Sequence, residues 1–493
     1  MYPLKKKGSV TVFLCLFMSV LLGVLQIMFY SVQIEGGKVQ AIAGVEEGLY
    51  SVFAGYDSCL LEKYHIFFLD GAYGTSELNL GVAYNLVKEQ LENSCYPGKS
   101  QLDIRGENLW KCHFERGEIT GYTLATDQGG LSFKQQAVDY MKETLGIQGI
   151  QTLLNQIKNQ STKEMMEEGS TYLEQGKNAQ ENYESEKRQE IQESSEEQEI
   201  SENIVEVPAD FKNPLEIIME LQKKGVLSLV LPAAANVSDG SFENNKPVSK
   251  RNREQGMGIM HSNENVNTVT DNLLFQEYMM SHLSHYGNGE ESLGMVYQLE
   301  YIIGGKYSDM ENLKAVVNQL LLMREAANMV YLVKDPVRQA EIHQMALVIC
   351  SAIGLPAIEG IVSLALQAAW SFGESVLDVR QLLQGGKIPM VKTSATWKLS
   401  LEQLSQLPQI LSETQESQHT GMDYENYLRI LIGLQNTEEQ LWRTMDMVEN
   451  TVRAVSGKEN FCMDHCVCYI ETIMQINING KSYSIQRSYG YDM

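Results

Sequence analysis

The sequence predicts a mainly α protein with minor β (α+β): an N-terminal transmembrane helix that continues into an amphipathic stem, small β elements, a C-terminal helical bundle and a terminal β-hairpin. Three observations predict it. An uncharged run rich in Val, Leu, Phe, Met and Ile lasts from Gly8 to Ile34. Through most of the second half, apolar residues recur at the three- and four-residue steps of a helix. The last thirty residues alternate instead, around Asn479-Gly480, the pair that favours a type I′ hairpin turn.

The apolar run comes first because everything after it is placed by it. Its 27 residues exceed the ~20 that a helix rising about 1.5 Å per residue needs to cross a ~30 Å hydrocarbon layer. Lys5-Lys6-Lys7 abut its start, and the first charge beyond it is Glu35. The positive-inside bias then keeps the N-terminus in the cytoplasm and the bulk of the chain outside the cell, anchored in membrane lipid by a single pass. A cleaved secretory signal fits poorly. The small-x-small site, Ala41-Ile42-Ala43, lies well past the apolar run and across Glu35 and Lys38. Leu25, Phe29, Val32, Val39, Ile42, Leu49, Val52 and Phe53 keep helical spacing, so the same helix is expected to leave the membrane as a stem reaching about Asp57.

After the stem, Tyr64 to Leu69, closed by Asp70-Gly71, reads as a short strand, Ser76 to Glu92 as a helix, and Glu118 to Ala125 as a second strand. A helical pattern starts at Ser132 and then loses its apolar stripe. Between Lys163 and Glu206 there are 14 glutamates against 4 Lys or Arg, which predicts a solvated helix fading into a linker. Asn213 is expected to cap a helix with Pro214 at its first position, and Val226 to Leu231 is read as a strand or extended segment. Asn236 to Asp271, rich in Asn, Ser, Gly and Lys, is expected to be a long disordered loop. Helices are predicted over Leu273–His285, Leu299–Ile303, Met310–Val333 with Asp309 as cap, Pro336–Ile353 opened by Asp335, Ala357–Leu383, Tyr424–Leu434 and Glu438–Val455. Met345 to Phe372 carries one charge, Glu359, but Pro356 divides it into pieces too short for a bilayer, so it is read as buried helices. The hairpin pairs Cys468–Ile476 with Lys481–Arg487. The divisions that follow are 1–8 (cytoplasmic leader), 9–34 (transmembrane helix), 35–160 (stem and small α+β unit), 161–207 (acidic linker), 208–235 (helix and apolar segment), 236–271 (loop), 272–457 (helical domain) and 458–493 (hairpin).

With 39 basic and 63 acidic residues, the net charge of −24 argues against nucleic acid, or an anionic lipid surface, as the partner of the exported part. Eight cysteines include Cys15 in the span. Seven at irregular spacing do not describe a disulfide framework, although Cys95 and Cys112, or a pair among Cys462, Cys466 and Cys468, could bridge. The cluster Cys462-Met463-Asp464-His465-Cys466-Val467-Cys468 offers zinc-type ligands, but at a spacing that better suits packing on a strand. His282 and His285 are read as surface histidines, and Gly304-Gly305-Lys306 as a turn. No catalytic, cofactor-binding or metal-ligating set is expected, and the chain is read as a non-enzyme.

The basic leader Lys5-Lys6-Lys7-Gly8, the small Ser9, and a helix first apolar and then amphipathic resemble type IV prepilins and Tad-type pseudopilins. The resemblance implies cleavage between Gly8 and Ser9 by a prepilin peptidase. At the fifth position after that cut, where pilins carry glutamate, stands Phe13. Stretches spread over nearly the whole chain, among them Gly8–Leu14, Tyr122–Gly130, Gly225–Pro232, Glu311–Asn318 and Ala395–Leu401, resemble large membrane-anchored proteins of Gram-positive anaerobes found with tight-adherence (Tad) pilus genes. That resemblance implies a structural or accessory part in a Tad or type IV-like pilus or secretion apparatus, with protein partners in the assembly. An extracytoplasmic membrane-bound enzyme or a ligand-binding module is the alternative.

Overall fold

The computed structural model describes residues 8–95, 108, 110–157, 161–193, 211–231, 237–242, 246–258, 268–289, 294–412, 420–456 and 458–491. The chain forms two compact units. The first comprises 1–140, 247–268 and 452–493, and the second comprises 141–246 and 269–451. The fold is mainly helical with one small antiparallel sheet.

The first unit is built on α1 (Gly8–Phe53), followed by α2 (Ser58–Tyr64), β1 (Leu69–Asp70), α3 (Gly81–Cys95), β2 (Cys112–Leu124) and the start of α4 (Leu131–Ile157). Its C-terminal part supplies β3 (Cys466–Ile478) and β4 (Lys481–Gly490). β3 is the central strand. β2 pairs along one edge, from Cys112↔Ile478 to Leu124↔Val467, while β4 and the two-residue β1 share the other. The hairpin turn is as the sequence predicts: Asn479 and Gly480 both have positive φ, 52° and 81°, the backbone that a type I′ turn demands.

Several expectations for this unit are corrected. Tyr64 ends a helix rather than opening a strand, because Asp57 caps α2 by accepting from Cys59 N and Leu60 N, and the ladder begins only at Leu69. The strand expected from Glu118 starts at Cys112, since cross-strand pairing with β3 carries it through residues that do not alternate. α3 also starts later than expected, at Gly81, where Asn79 Oδ1 accepts the Gly81 N–H.

The core of the unit lies between the stem and the sheet. Ala41, Val45, Leu49, Val52 and Phe53 of α1 are buried with Val87 and Leu91 of α3 and with Ile470, Met474, Ile476 and Ile478 of β3. Gly44 and Gly48 let α3 approach closely, as a methyl at Gly48 would sit 2.8 Å from Val87 Cα. Within 236–271, expected to be a disordered loop, residues 246–258 are described. Val248 is buried, Arg251 pairs with Asp464, Gly256 N–H donates to Asp127, and Met257 bridges Tyr122.

The second unit holds the rest of α4, then α5 (Ser161–Glu193), α6 (Pro214–Gln222), α7 (Val226–Val230), α8 (Val269–His282), α9 (Gln298–Gly304), α10 (Asp309–Lys334), α11 (Pro336–Ile353), α12 (Glu359–Leu383), α13 (Leu407–Ile410), α14 (Tyr424–Gly433) and most of α15 (Thr437–Ser456). The caps at Asn213 and Asp335 form as expected, and Asn436 Oδ1 accepts from Glu438 N–H at the start of α15. Ser308, not Asp309, caps α10, accepting from Glu311 N–H. Val226–Val230 is one helical turn rather than a strand. Its Ser228 N–H returns to Gly225 O, and Leu229 and Val230 are buried.

The acidic segment also differs from a solvated helix. α5 buries Leu173, Ala179, Gln180 and Tyr183 against α10 and α12. Gly169 and Gly176 sit where a methyl would run into Ala326 or Ala368. A stripe of small residues packs by close approach, which a search for large apolar side chains overlooks. Residues 194–207 of that segment lie outside the described residues. α11 and α12 are separate, with α12 deeply buried, and among the described residues one helix, α1, is long and apolar enough to cross a membrane.

Candidate functional site

The most distinctive feature of the first unit is how α1 divides. Apart from Gly23, its residues from Val10 to Val32 are exposed, and its apolar stretch reaches a mean hydropathy of 2.6. Cover begins at Gln33 and Ile34, and Gly37 is buried. Thus the folded body starts where the uncharged run stops. At that junction Asn479 Nδ2 donates to Gln33 Oε1 at 3.0 Å, and the Trp110 ring lies where a methyl on Gly36 would be. Ile478 closes on Gly37, and Lys481 Nζ stands 5.7 Å from the Tyr30 ring. Lys38 pairs with Glu35 at 2.9 Å and sits over Tyr483.

α1 begins at Gly8, the residue before the proposed cut, and the lysines of the leader lie outside the described residues. Phe13 is 69% exposed. Nothing on this helix supplies the carboxylate that pilins place there.

The second unit contains a charge network with no sequence motif. Arg324 of α10, Glu374 and Asp378 of α12 and Lys392 are buried to the side-chain tips. Arg324 Nη2 is 3.0 Å from Asp378 Oδ2, and Lys392 Nζ bridges Glu374 at 2.5 Å and Asp378 at 2.7 Å. Asn328, Ser375 and the Tyr427 hydroxyl complete it, and Glu374 also accepts the backbone N–H of Lys398 and Leu399. Burial works to raise Asp378, but Lys392 and Arg324 prevail and hold it below the usual carboxylate range. Burial raises Glu374 against the pull of Lys392. Two cations facing two carboxylates leave no net charge in the core, the arrangement in which such burial is tolerated. The sequence signal that could have found it is Glu374 and Asp378, one turn apart in a largely apolar helix.

Among the described residues, two clefts of the second unit stand out. One of about 490 Å³ is lined by Lys177, Gln180, Met219, Leu321, Leu322 and Glu325 among others. Glu325 is buried, and burial raises its carboxyl to about 7 although Lys177 is 3.6 Å away. Its Oε2 accepts no hydrogen bond among the described residues. The other, about 590 Å³, is lined by Tyr286, Tyr297 and the segments around Gly240 and Gly289. Ser238, which lines it, donates its hydroxyl to Asp309 Oδ2 at 2.6 Å.

Of the residues singled out in the sequence, Cys462 Sγ and an Asp464 carboxylate oxygen lie within 4.8 Å of each other. Cys462 accepts from Arg453 Nη2 at 3.2 Å, and Cys466 and Cys468 are buried. Cys466 Sγ lies against Cys462 O, while Cys468 Sγ contacts Thr123 O and Ser132 Oγ. His282 stacks on Tyr278, whereas His285 lies beyond the end of α8 and contacts Tyr286 O. Both are half-buried rather than on the surface. Gly305 caps α9 with positive φ, so Gly304-Gly305-Lys306 is a turn. Cys95 and Cys112 do meet, with sulfurs 2.7 Å apart and both buried. The hydrogen bond between them, then burial, raises Cys95, and the same bond lowers Cys112.

A family described as "Family of unknown function (DUF5702)" matches residues 205–478. The match spans more than half of the chain, and the chain belongs to that family. No curated protein and no solved structure matches it.

Proposed function

We propose that the chain is a non-enzymatic, membrane-anchored structural or accessory component of a Tad or type IV-like pilus or secretion apparatus. Its N-terminus lies in the cytoplasm and its bulk outside the cell. One observation carries the reading: α1 is a single helix whose apolar half is bare and whose other half is the spine of a folded α+β body. A bare apolar half-helix suits either a lipid bilayer or the helical core of a filament, and the Lys5–Gly8 leader that precedes it supports the pseudopilin-like form. Partners in such an assembly would be other subunits with apolar N-terminal helices, and no nucleic acid is expected at this net charge.

A photo-crosslinking residue placed at Leu21 or Phe29, both exposed, tests the reading in native membranes. Crosslinks to the apolar helices of small pilin-type subunits are expected. Crosslinks to lipid alone at both positions would contradict assembly while leaving the anchor. The cleft floored by Glu325 favours a second reading, a membrane-bound ligand-binding module.

A further inference from the structure

The junction between α1 and its body carries an inference about the membrane surface, and it rests on α1 crossing the membrane as proposed above. The uncharged run of 27 residues spans about 40 Å as a helix, against a hydrocarbon core of ~30 Å and ~40–45 Å with headgroups included. With the leader lysines on the inner side, Tyr30 to Ile34 must stand in the outer headgroup layer. Whatever touches α1 there stands in it too. Those parts are the Asn479–Lys481 turn, which meets Gln33 and Tyr30, with Trp110 just beyond at Gly36 and Lys111 joined to the turn, since Cys112 pairs with Ile478 and Asn479 N–H donates to Lys111 O at this end of the sheet.

Their chemistry suits that layer. Trp110 is half-buried and Tyr30 is exposed, the ring types that settle at the membrane-water boundary. Lys111 and Lys481 are exposed and are paired with no carboxylate among the described residues. The nearby acids are occupied: Glu35 by Lys38, and Glu115 by Asn477 and Ser482. In a chain of net charge −24 the described residues at this end are locally basic, an exception to what the overall charge implies about lipid surfaces. We infer that the sheet end formed by Trp110, Lys111 and the Asn479–Lys481 turn is seated in the outer headgroup layer, with Lys111 and Lys481 taking phospholipid phosphates. The body is thereby held against the membrane by a second contact besides the helix.

The full-length protein in bilayer discs of phosphatidylglycerol and phosphatidylcholine tests this through its tryptophan fluorescence. Lipids brominated near the glycerol end should quench at least twofold more than lipids brominated near the terminal methyl. Trp110→Phe should abolish that difference, and Lys111→Glu with Lys481→Glu should reduce it at least twofold. Equal quenching at both bromine depths, or a difference unchanged in Trp110→Phe, would overturn the inference if the protein stays bilayer-bound in alkaline carbonate. Release by carbonate would overturn the spanning helix itself, and the inference with it.

Discussion

Glu325 is a buried acid whose folded-state carboxyl is raised, by burial first, from 4.5 to about 7. The sign of its effect follows. Above pH 7 the folded protein must hold a charge that the unfolded chain carries freely. The resulting penalty is full above pH 7 and vanishes as pH falls through 7 towards 4.5, where both states bind the proton. Its size is about 3 kcal/mol. Glu325→Gln should therefore be more stable than the parent at pH 8, with the advantage shrinking by that amount by pH 4.5, as read from urea midpoints. An advantage independent of pH would show that Glu325 is not the titrating group. Lys392 works the other way, since it neutralises Glu374 and Asp378 at once. Lys392→Met should cost roughly 3–5 kcal/mol, because two carboxylates would remain buried with Arg324 alone. A loss under 1 kcal/mol in the same titration would mean that water reaches the network. At this scale the sequence was legible where chemistry is local, as at the Asn213 and Asp335 caps. It was silent where partners are remote: Arg324 and Asp378 are 54 positions apart, and nothing in either neighbourhood announces the other.

Packing of the stem against α3 depends on glycine more than on large side chains. A Cβ at Gly48 would lie 2.8 Å from the backbone of Val87, and one at Gly44 would lie 3.1 Å from that of Leu91. Backbone cannot give way as a side-chain tip can, so Gly48→Val should destabilise the first unit by about 1–3 kcal/mol or more. Thermal unfolding in detergent should show a lower midpoint, while membrane association is unchanged. An unaltered midpoint would mean that the two helices separate readily. Long elements with a strong period, such as α10 to α12, were legible from apolar spacing, and the terminal hairpin from its Asn-Gly turn. α5 was not read as a packed helix because its buried stripe is made of Gly169, Leu173, Gly176, Gln180 and Tyr183, too small and too polar to stand out among glutamates. β2 was read too short for a related reason: its ladder is set by a strand more than 300 residues away.

For the whole molecule, the reading turns on what becomes of the N-terminus and which side the body occupies. In pilins the glutamate after the cut can pair with the new amine inside an apolar core, offsetting the desolvation of both charges. Phe13 cannot. Mass spectrometry of the purified protein is therefore expected to find an uncleaved leader, or Ser9 at the terminus of a low-copy component; Ser9 termini in high copy from sheared filaments would contradict this. That α1 is apolar, bare and continuous with the body was legible in the sequence. That the central strand of the stem's sheet comes from the other end of the chain was not, because no local pattern places Val45 and Ile476 in one core. The most direct measurement is protease access to intact, wall-stripped cells. With the leader inside and the body outside, protease should digest the chain beyond Glu35 without lysis and leave a short membrane-bound fragment containing the apolar half of α1. Protection of the whole body until the membrane is broken would place it on the cytoplasmic side and contradict the orientation.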